Sequence, residues 1–171
     1  MVSDVKSIYS SQVESRSLSP AHQGDYVREV LAGLRVKDFM PEGREVRTLR
    51  RGTGLAEIIE LLGSGEHGGL PVTGEDGGYL GMVSLEEVHT ASLTPSLGSF
   101  VLAVDLMRDD VPPLRPDDSL DLALELFAES DRMSLAVVDS SPEKRVVGIV
   151  RRADISSAYL RRVQGTLRRD A

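Results

Sequence analysis

Leu70-Pro71-Val72-Thr73-Gly74-Glu75-Asp76-Gly77-Gly78-Tyr79-Leu80-Gly81-Met82-Val83-Ser84-Leu85-Glu86-Glu87-Val88 reads as two short apolar runs around a Gly- and Asp-rich turn, with a helix start behind them. The ending of this string returns later in the chain. Gly81-Met82-Val83 reappears as Gly148-Ile149-Val150, and Glu87-Val88 as Asp154-Ile155, each 67 positions on. Upstream, Leu55, Ile58, Ile59 and Leu62 reappear 65 positions on as Leu120, Ala123, Leu124 and Phe127, while Asp38 and Met40 return as Asp105 and Met107 at the spacing of 67. The drift is a loop effect. The second copy is two residues shorter before its first helix, and its hairpin from Ala136 to Gly148 is two residues longer than that from Pro71 to Gly81. Length changes confined to loops, with the periodic positions kept in step, mark an internal duplication.

Each copy carries one string of elements. A short extended segment (Val46–Leu49; Pro113–Arg115) precedes a helix with apolar residues at i, i+3, i+4 and i+7. Two strands follow, Leu70–Thr73 and Tyr79–Ser84 in the first copy, Leu135–Asp139 and Arg145–Val150 in the second. A second helix closes each copy (Leu85–Ser92; Ala153–Val163). A βαββα unit this small cannot cover both faces of its own sheet. The expected fold is therefore α+β, two tandem βαββα motifs packed sheet against sheet with pseudo-two-fold symmetry and clefts between them. The division this implies is a lead-in with a short helix over residues 1–34, the first motif over 35–95, the second over 96–165, and a basic tail over 166–171.

The 171 residues include 20 Lys and Arg, 27 Asp and Glu, and neither Cys nor Trp. Without Cys there is no disulfide, no thiolate zinc site and no cysteine nucleophile. The longest apolar runs, such as Phe100–Val104, are five residues, against the roughly 20 that a membrane span needs. Met1-Val2-Ser3-Asp4-Val5-Lys6 lacks the basic-then-apolar signature of a signal peptide, and the expected location is cytoplasmic. A net charge of −7 argues against nucleic acid as a partner. That charge is uneven, since residues 151–171 hold six Arg and two Asp, a local +4. This basic end reads either as a solvated terminal helix or as a contact for phosphates, acidic partners or anionic lipid.

Gly63-Ser64-Gly65-Glu66-His67-Gly68 matches G-x-G-x-x-G, but a helix precedes it and a strand follows, the reverse of a dinucleotide site; it reads as a Gly-rich helix stop. Ser84-Leu85-Glu86-Glu87 is a capping box. At the matching place of the second copy stands Arg151-Arg152-Ala153-Asp154. Asp154 there either supports a helix N-terminus or accepts from ribose hydroxyls while arginines and helix N–H groups take phosphate. His22, His67 and His89 lack metal spacing; His67 is either an exposed loop residue or a planar contact for a ligand base. No nucleophile, general base and orienting group come together, so no catalytic residue is assigned and the chain is not expected to be an enzyme.

Val36-Lys37-Asp38-Phe39-Met40, Leu55–Ile59, Gly69-Leu70-Pro71-Val72, Gly81–Ser84 and Glu87-Val88 in the first copy resemble a CBS motif, the repeat type of cystathionine β-synthase. Val104–Met107, Ser119–Ala123, Leu135–Val138, Gly148–Val150 and Asp154-Ile155 resemble a second, so that residues 35–163 look like a CBS pair, or Bateman module. His67–Val88, the linker Leu93–Met107 and the lead-in, with Ser7-Ile8-Tyr9 and Val27-Arg28-Glu29-Val30-Leu31, are similar to the cytoplasmic domain of ClC-type chloride channels and transporters. The resemblance implies a regulatory domain on the cytoplasmic face of the cell membrane, a homodimer, and the membrane-embedded part of the same protein as partner. It also implies that ATP, ADP or AMP can bind between the motifs, with no cofactor or metal required. Carried over by position, the base would lie near Val46, His67 and Gly68 at the head of the Gly69–Pro71 strand. Asp154 would meet ribose, and Arg151 and Arg152 the phosphates. The opposite cleft would use Ser84, Glu87 and the strand start Met133–Leu135. A ligand-free dimerisation module and a CBS protein regulating a soluble partner are the other readings.

Overall fold

The structure, a computed structural model, describes residues 33–40, 45–65, 68–93 and 99–167. Leu34–Ala171 forms one compact unit. The expected lead-in up to residue 32, the residue His67 and the last four residues of the basic tail lie outside the described residues. A 3-10 turn, Val36–Phe39, comes first, then β1 (Leu49–Arg50), α1 (Leu55–Gly63), β2 (Gly69–Thr73), β3 (Tyr79–Ser84) and α2 (Leu85–Ser92). The second copy follows as α3 (Ala103–Leu106), α4 (Leu120–Glu129), β4 (Ser134–Val138), β5 (Val146–Arg151) and α5 (Arg152–Leu167). Among the described residues no helix is long and apolar enough to cross a membrane.

The duplication is visible in the register. β2 and β3 pair antiparallel with Gly69 opposite Ser84 and Val72 opposite Gly81; β4 and β5 do the same with Ser134 opposite Arg151 and Val137 opposite Gly148. Both ladders slip at the same place, between Val72 and Thr73 and between Val137 and Val138. The first extended segments differ. β1 pairs parallel with β2 over two residues, whereas its counterpart is a single bridge from Leu114 to Val137. Pro112, Pro113 and Pro116 flank Leu114 and have no N–H to give to a ladder, so only Leu114 can pair on both sides. Its N–H donates to Ala136 and its carbonyl accepts from Val138.

Every residue of β2 and of β4 is buried. A strand covered on both faces carries no polar alternation, which is why Leu70-Pro71-Val72 and Leu135-Ala136-Val137 are unbroken apolar runs. One core gathers Leu49, Ile58, Leu62, Leu70, Val72, Val83 and Val88. In the second copy Leu114, Leu120, Phe127, Leu135, Val150 and Ile155 are likewise buried.

The segment that leads each copy lies against the other one. Val36 and Lys37 donate their N–H groups to the carbonyls of Asp118 and Pro116 (3.0 and 2.9 Å), and Leu120 donates to Leu34 (3.1 Å). In the mirror arrangement Ala103 and Val104 donate to Thr53 and Arg51 (2.8 and 3.0 Å), and Leu55 to Val101 (3.1 Å). Each leading turn is closed by its own repeated acid: Arg35 N–H donates to Asp38 Oδ2 at 2.8 Å, and Leu102 N–H to Asp105 Oδ2 at 2.9 Å. The methionine that ends each turn rests on a glycine of the other copy. A Cβ at Gly148 would run into Met40, and one at Gly81 would lie 3.4 Å from Met107 Cβ and 2.8 Å from the Arg108 carbonyl oxygen. The repeated Met and the repeated Gly of the sequence are two halves of one contact.

Candidate functional site

Ser84 ends β3 and caps α2 as its sequence predicts. Its N–H donates to Glu87 Oε2 at 2.9 Å, and its hydroxyl bonds the same oxygen. Glu87 is thereby fixed in the first turn of α2, where a carboxylate also meets the positive end of the helix. Its other oxygen accepts from Arg132 Nη1 at 3.2 Å. Arg132 comes from the second copy, between α4 and β4, and its Nη2 donates to Asp110 Oδ1, in the segment between α3 and α4, at 2.8 Å. Asp110 in turn accepts from Arg108 Nη2 at 2.9 Å. A charged chain of four side chains thus ties the helix start of one copy to the strand start of the other.

The Arg132 side chain is 11 % exposed and that of Glu87 16 %. Burial alone would push the Glu87 carboxyl up. The Ser84 hydroxyl and N–H and the Arg132 guanidinium outweigh it and hold Glu87 below the ordinary glutamate range. At Asp110 desolvation is likewise overcome by Arg132 and Arg108, and that carboxyl also sits low.

A cavity of about 620 Å³ opens beside this chain. Its walls are Ser84–Glu87 from the first copy, and from the second Arg108 and Asp110–Pro112 between α3 and α4 and Leu126 with Glu129–Met133. Leu85 and Met133 are half-exposed apolar residues in these walls. Gly68, with φ of +61°, stands across from Met133: a Cβ there would lie 3.8 Å from Met133 Cβ.

The residues expected to hold a nucleotide from the sequence divide into groups. Gly68 lines the cavity just described. Val46 is half-buried in the extended lead to β1, and His67 is outside the described residues. Gly69 and Pro71 are buried in β2, and Gly69 is a packing glycine, its Cβ position only 3.2 Å from the Val83 carbonyl oxygen. Arg151 and Asp154 do meet. They form a bidentate pair at the start of α5, Nε to Oδ2 and Nη2 to Oδ1, both at 2.7 Å. Arg152 goes elsewhere: its guanidinium donates to the Phe127 carbonyl and lies over the Phe127 ring, 6.0 Å from the centroid. A cation drawn onto an aromatic face and a helix-end carbonyl satisfies α4 rather than a phosphate.

Arg132, Arg108 and Asp110 were missed by the sequence reading. The signal for Arg132 was there, because the spacing of 65 that aligns Leu70 with Leu135 also aligns His67 with Arg132. The helix starts correspond as well, Leu85 N–H donating to the Gly68 carbonyl and Arg152 N–H to the Met133 carbonyl.

The CBS domain family matches residues 36–93 and again 103–161, and the chain belongs to that family. Among solved structures, the chain is similar to CBSX2 of Arabidopsis thaliana, solved in complex with AMP, at 25 % identity over 75 % of this chain and 98 % of that one, with a TM-score of 0.63. The CBS domain pair of protein MJ0100, in complex with 5′-methylthioadenosine and S-adenosyl-L-methionine, is 21 % identical over 74 % of this chain and 95 % of that one, with a TM-score of 0.63. A homoserine O-acetyltransferase of Methanohalobium evestigatum is 29 % identical over 121 residues, which are 71 % of this chain and 23 % of that protein. The chain thus spans about a quarter of the length of that curated relative.

Proposed function

We propose that this CBS pair is a regulatory module that binds an adenosine-type ligand between its two copies and acts on a soluble partner, attached or separate. One observation carries the reading: Glu87, in the first turn of α2, faces a cavity whose opposite wall is the strand start of the other copy. A carboxylate so placed accepts from vicinal ribose hydroxyls, and the apolar walls at Leu85, Val111, Pro112 and Met133 suit a purine. The AMP complex of CBSX2 supports the ligand class. Because the walls belong to both copies, a ligand that fits one arrangement better shifts the population towards it, by no more than its difference in affinity. The second cleft, with Asp154 and Arg151, remains the proposed place for a phosphate-bearing ligand, and Arg152 has no part in it while held by Phe127.

Attachment to a channel rests on the likeness of His67–Val88, of the linker Leu93–Met107 and of a lead-in outside the described residues, and the relatives above lend it no support. The likeness to part of a homoserine O-acetyltransferase favours a soluble partner instead. Self-association is proposed through exposed apolar positions on the helices, Ile59 on α1, Leu122 on α4 and Leu160 on α5.

Calorimetric titration with AMP and 5′-methylthioadenosine tests the reading, with Glu87→Gln and Asp154→Asn as variants that separate the clefts. Saturable binding weakened at least about tenfold by one variant is expected, since a charge-assisted bond contributes ~1.5–3 kcal/mol. Flat titrations at millimolar ligand overturn it. Sedimentation with and without ligand reads the association.

A further inference from the structure

We propose that the cavity beside Glu87 takes an adenosine-type ligand whose 5′ end is uncharged or cationic, and that it discriminates against a polyphosphate chain. This rests on the reading of that cavity as a ligand cleft and adds the chemical class of what enters it.

The argument is one of charge. Five carboxylates line the cavity: Glu86 and Glu87 on α2, Asp110 between α3 and α4, Glu129 and Asp131 at the end of α4. Against them stand two guanidiniums, and both are engaged. Arg132 holds Glu87 and Asp110, and Arg108 holds Asp110. Glu86, Glu129 and Asp131 make no ion pair among the described residues and leave the cavity with a surplus of three negative charges. A phosphate chain could recruit Arg132 only by stripping it from Glu87, the group that the ribose needs. A ligand that offers hydroxyls to Glu87 and an apolar or positive group to the rim meets no such conflict.

Glu86, Glu129 and Asp131 are exposed, so their field is screened by salt and their effect belongs to selection rather than to the fold. They are specificity-determining residues in this scheme, and Glu87 is the anchor.

The test is a calorimetric comparison of 5′-methylthioadenosine, S-adenosyl-L-methionine, AMP and ATP on the full chain, each repeated on Glu87→Gln to isolate this cleft. At about 0.05 M salt the uncharged and cationic ligands are expected to bind at least about tenfold more tightly than ATP, with AMP between. The gap narrows towards about 1 M salt, where the Debye length falls to ~3 Å. The exposed pair Glu129→Gln/Asp131→Asn is expected to narrow the gap by about threefold or more at low salt. Glu87-sensitive ATP binding as tight as that of the thioether nucleoside overturns the charge proposal alone, as does a ratio unmoved by the double variant. If no ligand binds in a Glu87-sensitive manner, the ligand-cleft reading falls and the proposal falls with it.

Discussion

Replacing Gly81 by alanine puts a methyl group 2.8 Å from the Arg108 carbonyl oxygen, 3.2 Å from the Arg108 carbonyl carbon and 3.4 Å from Met107 Cβ. The obstacle is backbone, and it is pinned. Arg108 and Met82 exchange both of their hydrogen bonds, at 2.9 and 2.8 Å, so relief of the contact requires that bridge to open. Overpacking of this kind costs about 1–3 kcal/mol, and a weakened hydrogen bond about 0.5–1.5 more. The lower entropy of alanine in the unfolded strand returns roughly 0.5–1 kcal/mol. The net expectation for Gly81→Ala is a loss of about 1–3 kcal/mol. At the pseudo-equivalent Gly148 the three atoms nearest to an added methyl group are Cε, Sδ and Cγ of Met40, a half-buried and flexible side chain. A thioether arm can swing away, and the expectation there is a change within about 0.5 kcal/mol. Urea unfolding of both variants, read as the midpoint at unchanged slope, measures the contrast. Equal losses, or a larger one at Gly148, would refute the claim that a rigid backbone contact at one site and a flexible side chain at the other separate two glycines alike in sequence.

The acid limb of stability is expected to depend on Arg132. Glu87 is held below the ordinary value of 4.5 in the folded chain, so its contribution is present above that value and drains away as pH falls through the lowered one. Arg132→Gln removes one of the groups holding it there, and unfolding followed from pH 7 to pH 3 should show a smaller loss than the parent; an unchanged acid limb would count against the pairing. Lys144 has φ of 53°, the left-handed region where a side chain is strained. Lys144→Gly is expected to raise stability by a few tenths to ~1 kcal/mol in thermal unfolding, and a lowered melting temperature would show that the lysine side chain, not its backbone, matters at that turn.

The βαββα string was legible because it depends on local signals. Apolar spacing gave α1 and α4, unbroken apolar runs gave β2 and β4, and Ser84-Leu85-Glu86-Glu87 gave the start of α2 to the residue. The elements that escaped notice owe their form to distant partners. Val36–Phe39 and Ala103–Leu106 are too short to announce themselves, and they fold because Asp118, Pro116, Thr53 and Arg51 offer carbonyls from the opposite copy. The candidate site was legible in part for the same reason. Asp154 and Glu87 follow from the repeat, whereas the destination of a guanidinium is decided in three dimensions. Arg152 reads as a phosphate ligand beside Asp154 until Phe127 is found beneath it, and Arg132 looks like a surface residue until Glu87 and Asp110 are seen to enclose it.

The exchange of leading turns has an evolutionary corollary. A lone copy cut at the repeat boundary would carry a turn with nothing to lie on and a helix missing its cover, so the smallest heritable unit of this architecture is the pair. Single copies should not be shuffled between genes, halves expressed separately should become soluble only when mixed, and lineages should gain or lose these modules in twos.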